Sequence, residues 1–212
     1  MIKGTMTVTG TVKKAAEMKT DKNNNPFVGL VVGFNVKDAA DDSDFPVEVY
    51  VMVKDGSIEL VNKFVKDTRV IAKGVVDMSE NEYGTKIFLD ADEITVHKAS
   101  EFKPGLSGGL QFRGYIQKSK ELEVRTASNG TLFIAFSAYS SYKIGENNYR
   151  FLWVDFRRFA EQKQTFEDIK PEWLAPGAHI SATGSFELSA YKQKLKIKSI
   201  INTIEEYVQP AQ

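Results

Sequence analysis

The sequence contains the same β-rich pattern twice. In each copy an alternating apolar segment carries a glycine at the same place, Gly10 in the first copy and Gly114 in the second. The matched segments occur in the same order: 6–12 with 110–116, 68–74 with 178–184, and 87–96 with 195–204. Because 212 residues suffice for two domains of roughly 100 residues each, the repeat restricts the chain to two copies of one small domain.

Each copy is predicted to contain five strands and one short helix. Period-two alternation and enrichment in Val, Ile, Thr and Phe place the strands of the first copy near 4–14, 27–36, 46–53, 68–78 and 85–97. Between the third and fourth strands the period becomes helical over 57–66, with Ser57 as the N-cap. The counterpart in the second copy spans 159–174 and is interrupted by Pro171.

This order of elements is the connectivity of the OB-fold, a small Greek-key barrel that binds oligonucleotides or oligosaccharides. The predicted fold class is therefore all-β, with two tandem five-stranded OB barrels. Residues 98–109 contain Pro104, Gly105, Gly108 and Gly109 and almost no periodic apolar signal, which is typical of a linker. The predicted domains are 1–97, called copy 1 below, and 110–206, called copy 2.

Composition and motifs exclude several classes of protein. The absence of cysteine excludes a disulfide scaffold and a thiolate metal site. No apolar run reaches the length of a signal peptide or a membrane span, so we expect a cytoplasmic protein without a membrane partner. The two histidines, His97 and His179, begin no metal or triad pattern, and no glycine-rich phosphate loop precedes a helix. We predict no enzyme, no cofactor and no metal site.

The outward face of copy 2 carries the most informative chemistry. The whole chain has 28 basic and 28 acidic residues, but its first half is net acidic and its second half net basic. Strand alternation predicts an outward set of cations interleaved with rings: Arg113, Tyr115, Arg125, Phe133, Tyr139, Tyr142, Arg150, Lys192, Lys194, Lys196 and Lys198. Cations neutralise phosphates and rings stack on unpaired bases, so this set predicts a surface for single-stranded nucleic acid. The alternative is that the rings fill the barrel and the lysines protect an exposed edge.

The third strand of copy 2 leaves its orientation open, because both faces of 149–156 carry aromatic residues. In one orientation Tyr149, Phe151 and Trp153 face the ligand. In the other, Arg150 and Phe156 do. The first orientation also keeps Asp155 out of the core, where an unpaired carboxylate would be costly.

Copy 1 differs at the corresponding outward positions. Threonine, glycine and valine replace the rings, and Asp90 and Asp92 lie where copy 2 has lysines. We interpret copy 1 as an assembly module with weak or no strand binding. The alternative is weak binding of the same strand through Phe27, Lys86 and Phe88.

The segment 121–138, followed by an aromatic-rich strand that ends at 156–161 in Phe-Arg-Arg-Phe-Ala-Glu, resembles the bacterial single-stranded DNA-binding protein (SSB) family. Copy 1 resembles that family through Gly10, Glu17, Asn25 and Gly74. The resemblance implies OB barrels that bind single-stranded DNA without sequence preference and assemble as four OB units, here a homodimer of tandem chains.

The resemblance also implies that the aromatic residue at the end of the third strand stacks on bases. That residue is Phe156 in copy 2, with Trp153 as the second candidate. The acidic C-terminal tail of the family has no counterpart in 205–212, which argues against partner recruitment through such a tail.

The predicted function is sequence-independent binding of single-stranded DNA, which protects or organises the strand in replication, recombination or mobile-element transfer. The alternative is an OB-fold protein-interaction module or accessory factor with little nucleic-acid binding.

Overall fold

The computed structural model describes residues 1–54, 56–98, 103–161 and 164–208, and it confirms an all-β protein. Copy 1 is built from β1 (Ile2–Thr20), β2 (Pro26–Lys37), β3 (Asp44–Val53), α1 (Ile58–Lys63), β4 (Arg69–Asn81) and β5 (Gly84–Val96). Copy 2 is built from β6 (Gly105–Ile116), β7 (Glu123–Thr126), β8 (Leu132–Gly145), β9 (Asn148–Phe159), α2 (Phe166–Ile169), β10 (His179–Ala190) and β11 (Leu195–Glu206).

Each copy closes into the barrel that its sequence predicts. In copy 1, β1 pairs with β2, β2 with β3, β3 in parallel with β5, β5 with β4, and β4 with β1 again. In copy 2 the same circuit runs through β6, β8, β9, β11 and β10, with β9 and β11 parallel. This five-strand circuit with one parallel pair is the Greek-key connectivity of the OB-fold.

The helices lie where the change of period places them, although one is much shorter than predicted. The hydroxyl of Ser57 accepts a hydrogen bond from the Leu60 amide at 3.4 Å and caps α1 as expected. Among the described residues of this segment in copy 2, 166–169 are helical: β9 extends to Phe159, and α2 ends at Ile169, two residues before Pro171. The predicted helix over 159–174 is therefore wrong in length.

The repeated glycines lie where two strands approach each other too closely for a side chain. A Cβ atom on Gly114 would lie 2.1 Å from the carbonyl oxygen of Tyr139, and one on Gly10 would lie 2.6 Å from that of Gly33. Both contacts join the first strand of a barrel to its second long strand, so the repeat preserves the same packing twice.

We expect Gly114→Ala to destabilise copy 2 by about 1–3 kcal/mol or more, because backbone must move to admit the methyl group. Thermal unfolding measures this as a lowered Tm. Gly105→Ala is the matched control, since a Cβ atom there has no heavy atom within 4 Å. An unchanged Tm for Gly114→Ala would contradict this account of the repeat.

The two barrels share one continuous sheet, because β1 of copy 1 pairs with β6 of copy 2. Residues 105–109, predicted as linker, are strand residues in this junction, from Thr9 opposite Gly105 to Met6 opposite Gly108. A Cβ atom on Gly4 would lie 1.8 Å from the carbonyl oxygen of Gly109. The glycines there permit close strand approach. Residues 99–102 of the predicted linker lie outside the described residues.

Among the described residues, no helix has the length and apolar character needed to cross a membrane.

Candidate nucleic-acid interface

A row of aromatic side chains crosses the outer surface of copy 2, perpendicular to its strands. Tyr139 of β8 is central, with ring centroids 6.1 Å from Tyr115 on β6, 5.0 Å from Trp153 and 5.2 Å from Phe151, both on β9. Tyr115 stacks in turn on His179 of β10 at 4.2 Å. We call these five residues the ring face. It spans four adjacent strands of one barrel.

Three residues of the ring face are well exposed to solvent, and Tyr139 and His179 are half-buried. Tyr115, Phe151 and Trp153 are 40%, 47% and 41% exposed, whereas Leu152 and Val154, which alternate with the rings of β9, are buried. Exposed aromatic groups of this size are unusual on a protein surface unless they bind something. The orientation of β9 is therefore the first of the two alternatives, with Trp153 outward.

Two aromatic residues predicted for the binding surface are buried, Phe156 in the core and Phe133 under a neighbouring ring. Phe156 is 1% exposed, and its ring packs 5.0 Å from Phe112 and 5.5 Å from Phe136 inside the barrel. Phe133 is 8% exposed because Phe159 of the neighbouring strand covers it at 5.0 Å. Neither ring is available to a base, so both predictions are wrong.

Tyr142 was predicted to stack on bases but joins the two copies instead. Its hydroxyl donates a hydrogen bond to the carbonyl oxygen of Met78 in copy 1 at 2.6 Å. Burial raises the pKa of this hydroxyl to about 12, so it stays protonated and keeps donating at neutral pH. The side chain is thus committed to the contact between barrels.

Arg113 extends the ring face with a cation. Its guanidinium lies 4.8 Å from the ring centroid of Tyr207 and donates a hydrogen bond to the Tyr207 hydroxyl at 2.9 Å. The Tyr207 ring lies 4.6 Å from His179. Burial first, and the charge of Arg113 second, lower the pKa of His179, which favours the neutral imidazole stacked on Tyr115 at neutral pH.

The predicted lysines lie beside a groove between the two copies. This inter-copy groove has a volume of about 680 Å³. Lys194, Lys196, Phe151 and Trp153 line it from copy 2, and copy 1 supplies the opposite wall, including Phe45, Tyr50, Tyr83 and Lys86. β11 pairs with β9, and Lys198 lies opposite the outward Asp155 in that register, so the lysines of β11 continue the ring face onto a fifth strand. Lys192, at the turn before β11, is exposed.

A smaller cleft on the other side of Asp155 contains further cations. Its volume is about 310 Å³, and Arg125, Arg157 and Lys198 line it together with Glu123 and Glu187. Hydrogen bonds from Lys120 and Arg125 lower the pKa of Glu123, so the charge of Arg125 is partly compensated there. Arg150 is exposed near the start of β9, opposite Tyr142 in the strand register.

The structure holds no group of three or more metal-ligating His, Cys, Asp or Glu side chains among its described residues.

Known proteins similar to this chain are found among solved structures. No protein-family model matches the sequence, and neither does any curated protein. The similar structures are single-stranded DNA-binding proteins. The wild-type protein from Thermus aquaticus is 12% identical and aligns over 99% of this chain and 95% of its own, with a TM-score of 0.47. The mitochondrial protein from S. cerevisiae is 16% identical over 46% of this chain and 91% of its own, with a TM-score of 0.34.

The outer face of copy 1 is more apolar than the ring face of copy 2. Val75 and Phe88 are each 48% exposed and line a groove of about 660 Å³ with Phe27 and Met52. The groove is bordered by charges of both signs: Lys3, Lys14, Lys19, Glu17, Asp77 and Asp90. Lys86, named in the alternative for copy 1, lies 5.5 Å from the ring of Tyr50 and faces the inter-copy groove.

Three members of this surface are absent from the sequence-based prediction. Arg157 has the same strand phase as Trp153 and Asp155, so extending the alternation two residues beyond Asp155 would have included it. His179 lies opposite Tyr115 in the register of β10 and β6, a pairing that the sequence does not specify. Tyr207 follows the last strand, where periodicity gives no orientation.

Proposed function

We propose that this protein binds single-stranded DNA without sequence preference and acts as a binding protein, not as an enzyme. The observation that carries the proposal is the continuity of the ring face with the lysines of β11. The ring face crosses four strands of copy 2, with Tyr115, Phe151 and Trp153 exposed, and meets Lys194 and Lys196 in the inter-copy groove.

The ring face supports contact with unpaired bases. The exposed rings of Tyr115, Phe151 and Trp153 can offer a plane to a base, and stacking of this kind contributes about 1–3 kcal/mol per base whatever the base is. Bases in a duplex are already stacked on their neighbours and present only their edges. A surface that depends on ring planes therefore selects single strands.

The cations support contact with the phosphate backbone. Arg113 lies at one end of the ring face, and Lys194 and Lys196 lie at the other. A strand whose bases stack on Tyr115, Tyr139 or Trp153 can thus place phosphates near positive charge on both sides. Release of counterions from those phosphates makes binding dependent on salt. Stacking that does not depend on the identity of the base fits a role in protecting or organising strands during replication or recombination.

Copy 1 is proposed to serve assembly, with two chains forming a homodimer of four OB units. Its exposed apolar groove, centred on Val75 and Phe88, is the kind of patch that marks a protein contact. Charges at its border already pair within the chain, Lys3 with Asp77 at 3.1 Å and Lys14 with Glu17 at 3.6 Å, so the contact proposed for this groove is mainly apolar. Sedimentation should give twice the mass of one chain, and Val75→Lys should give a single chain. A native protein that sediments as one chain would remove this part of the proposal.

Titration with labelled DNA at two salt concentrations tests the binding function. Oligo(dT) should bind at least about a hundredfold more tightly than duplex of the same length, since stacking on two or three rings is lost in the duplex. Raising the salt from about 50 mM to about 200 mM should weaken binding, with a slope of about −0.7 for each phosphate neutralised. Trp153 fluorescence should be quenched on binding.

Absence of oligo(dT) binding at the lower salt concentration would overturn the proposed function and leave the protein-interaction module. Equal affinity for duplex would show that phosphate contacts act alone and that the ring face is not used.

A further inference from the structure

Asp38 is a buried carboxylate outside the ring face, and it contacts both copies. It follows β2 of copy 1 directly and is 1% exposed. Its carboxylate accepts hydrogen bonds from the backbone amides of Gln193 at 2.6 Å, Ala40 at 2.9 Å and Lys192 at 3.0 Å. Two of these three donors belong to copy 2. These backbone hydrogen bonds, that of Gln193 foremost, lower the pKa of Asp38, so the carboxylate is ionised at neutral pH.

The two donors from copy 2 form a tight turn that their own sequence does not favour. The β10–β11 hairpin closes through two hydrogen bonds between Tyr191 and Lys194, which leaves Lys192 and Gln193 as a two-residue loop. Both have positive φ, 51° and 58°. This is the backbone of a type I′ turn, which Asn-Gly and Asp-Gly favour because ordinary side chains disfavour the left-handed region. The turn therefore needs support from outside the hairpin.

Asp38 provides that support. It accepts the amide hydrogens of both central residues of the turn. The Ala39 amide also donates to the Ala190 carbonyl at 2.8 Å, so the loop after β2 holds the hairpin at two places. The clamped turn leads directly into Lys194, which lines the inter-copy groove beside Phe151 and Trp153. One carboxylate of copy 1 thus fixes the start of the lysine-bearing strand of copy 2.

We propose that Asp38 is a positioning residue of the strand-binding surface, which holds the Lys192–Gln193 turn in its left-handed conformation so that the lysines beside the groove are preorganised for phosphate. The proposal rests on the function proposed above. It makes the two copies interdependent, since copy 1 organises a binding element of copy 2.

Asp38→Asn tests the proposal, because an asparagine amide oxygen lacks the charge and second carboxylate oxygen that hold both backbone amides. Affinity for oligo(dT) should fall about tenfold through lost preorganisation. Hydrogen exchange at the Lys192 and Gln193 amides should accelerate. Asp41→Asn is the matched control, because Asp41 lies in the same loop, is exposed and accepts its hydrogen bonds from Ser43 within that loop. It should leave both measurements unchanged.

A second variant separates positioning from a general loss of stability. In the double variant Asp38→Asn with Gln193→Gly, glycine adopts the positive φ without cost and should keep the turn in place. This double variant should bind oligo(dT) within about threefold of the native protein, since most of the preorganisation returns. A double variant that is unfolded, or that binds as weakly as Asp38→Asn alone, overturns the proposal.

The native protein is measured alongside the variants, so failure of the proposed binding function can be distinguished from failure of the role proposed for Asp38. If native protein does not bind oligo(dT), the binding function itself is wrong. If native protein and Asp38→Asn bind equally, the binding function stands and the role of Asp38 is refuted.

Discussion

Trp153→Ala is expected to weaken oligo(dT) binding by about tenfold to a hundredfold, because one lost stacking plane costs about 1–3 kcal/mol. The native fold should survive the change. Trp153 is 41% exposed on the outside of β9, so its removal opens no cavity in the core. We expect the free energy of unfolding to change by less than about 1 kcal/mol. Fluorescence anisotropy of labelled oligo(dT) measures the affinity, and urea unfolding measures the stability.

Two control substitutions test whether the effect of Trp153→Ala comes from the loss of its aromatic ring. Trp153→Phe keeps an aromatic plane at the same position and should lose only a few-fold in affinity. Ile58→Ala removes an apolar side chain that is 64% exposed on α1 of copy 1 and lines none of the grooves described above. Its binding should equal that of the native protein. Native-like binding by Trp153→Ala would show that the strand does not pass over β9.

The fold could be predicted from the sequence because burial of every second side chain gives a strand a period of two in its apolar residues. Leu110, Phe112 and Ile116 alternate with exposed residues along β6, and β4 and β10 show a similar alternation. The glycine-rich segment was misassigned for a different reason. Gly105, Gly108 and Gly109 were interpreted as a local linker signal, but they pack against β1, more than ninety positions earlier in the chain. Composition within a segment does not reveal a distant strand partner.

The sequence predicts the chemistry of the site but only some of the residues that form it. Phe133 has the outward phase, yet a neighbouring ring covers it, and coverage by a side chain from another strand leaves no trace in the period. For β9, the cost of burying Asp155 indicated the correct orientation, with Trp153 outward, whereas the resemblance indicated Phe156. Phe156 shares its phase with Leu152 and Val154, both core residues.

Simultaneous replacement of Lys194, Lys196 and Lys198 by Glu is expected to have the largest effect on binding. Affinity for oligo(dT) at low salt should fall by at least about a hundredfold, since three phosphate contacts are lost and three repulsions replace them. Replacement by Gln removes the contacts without the repulsion. With Gln, the slope of affinity against salt should become shallower by about 2, at about 0.7 for each lost contact with a single strand. Anisotropy titrations over a series of salt concentrations measure both quantities.

A control must separate the effect of net charge on binding from the effect of the position of these lysines on β11. Lys22, Lys63 and Lys66 are exposed in copy 1 and line none of the described grooves, so their replacement by Glu changes the net charge equally. If the lysines of β11 contact the strand, only the first triple variant loses binding strongly. Equal losses would indicate long-range repulsion of a polyanion, which acts over about 8–10 Å at moderate salt and fades as salt rises. Persistence of the difference between the two triple variants at higher salt would therefore place the phosphates against β11.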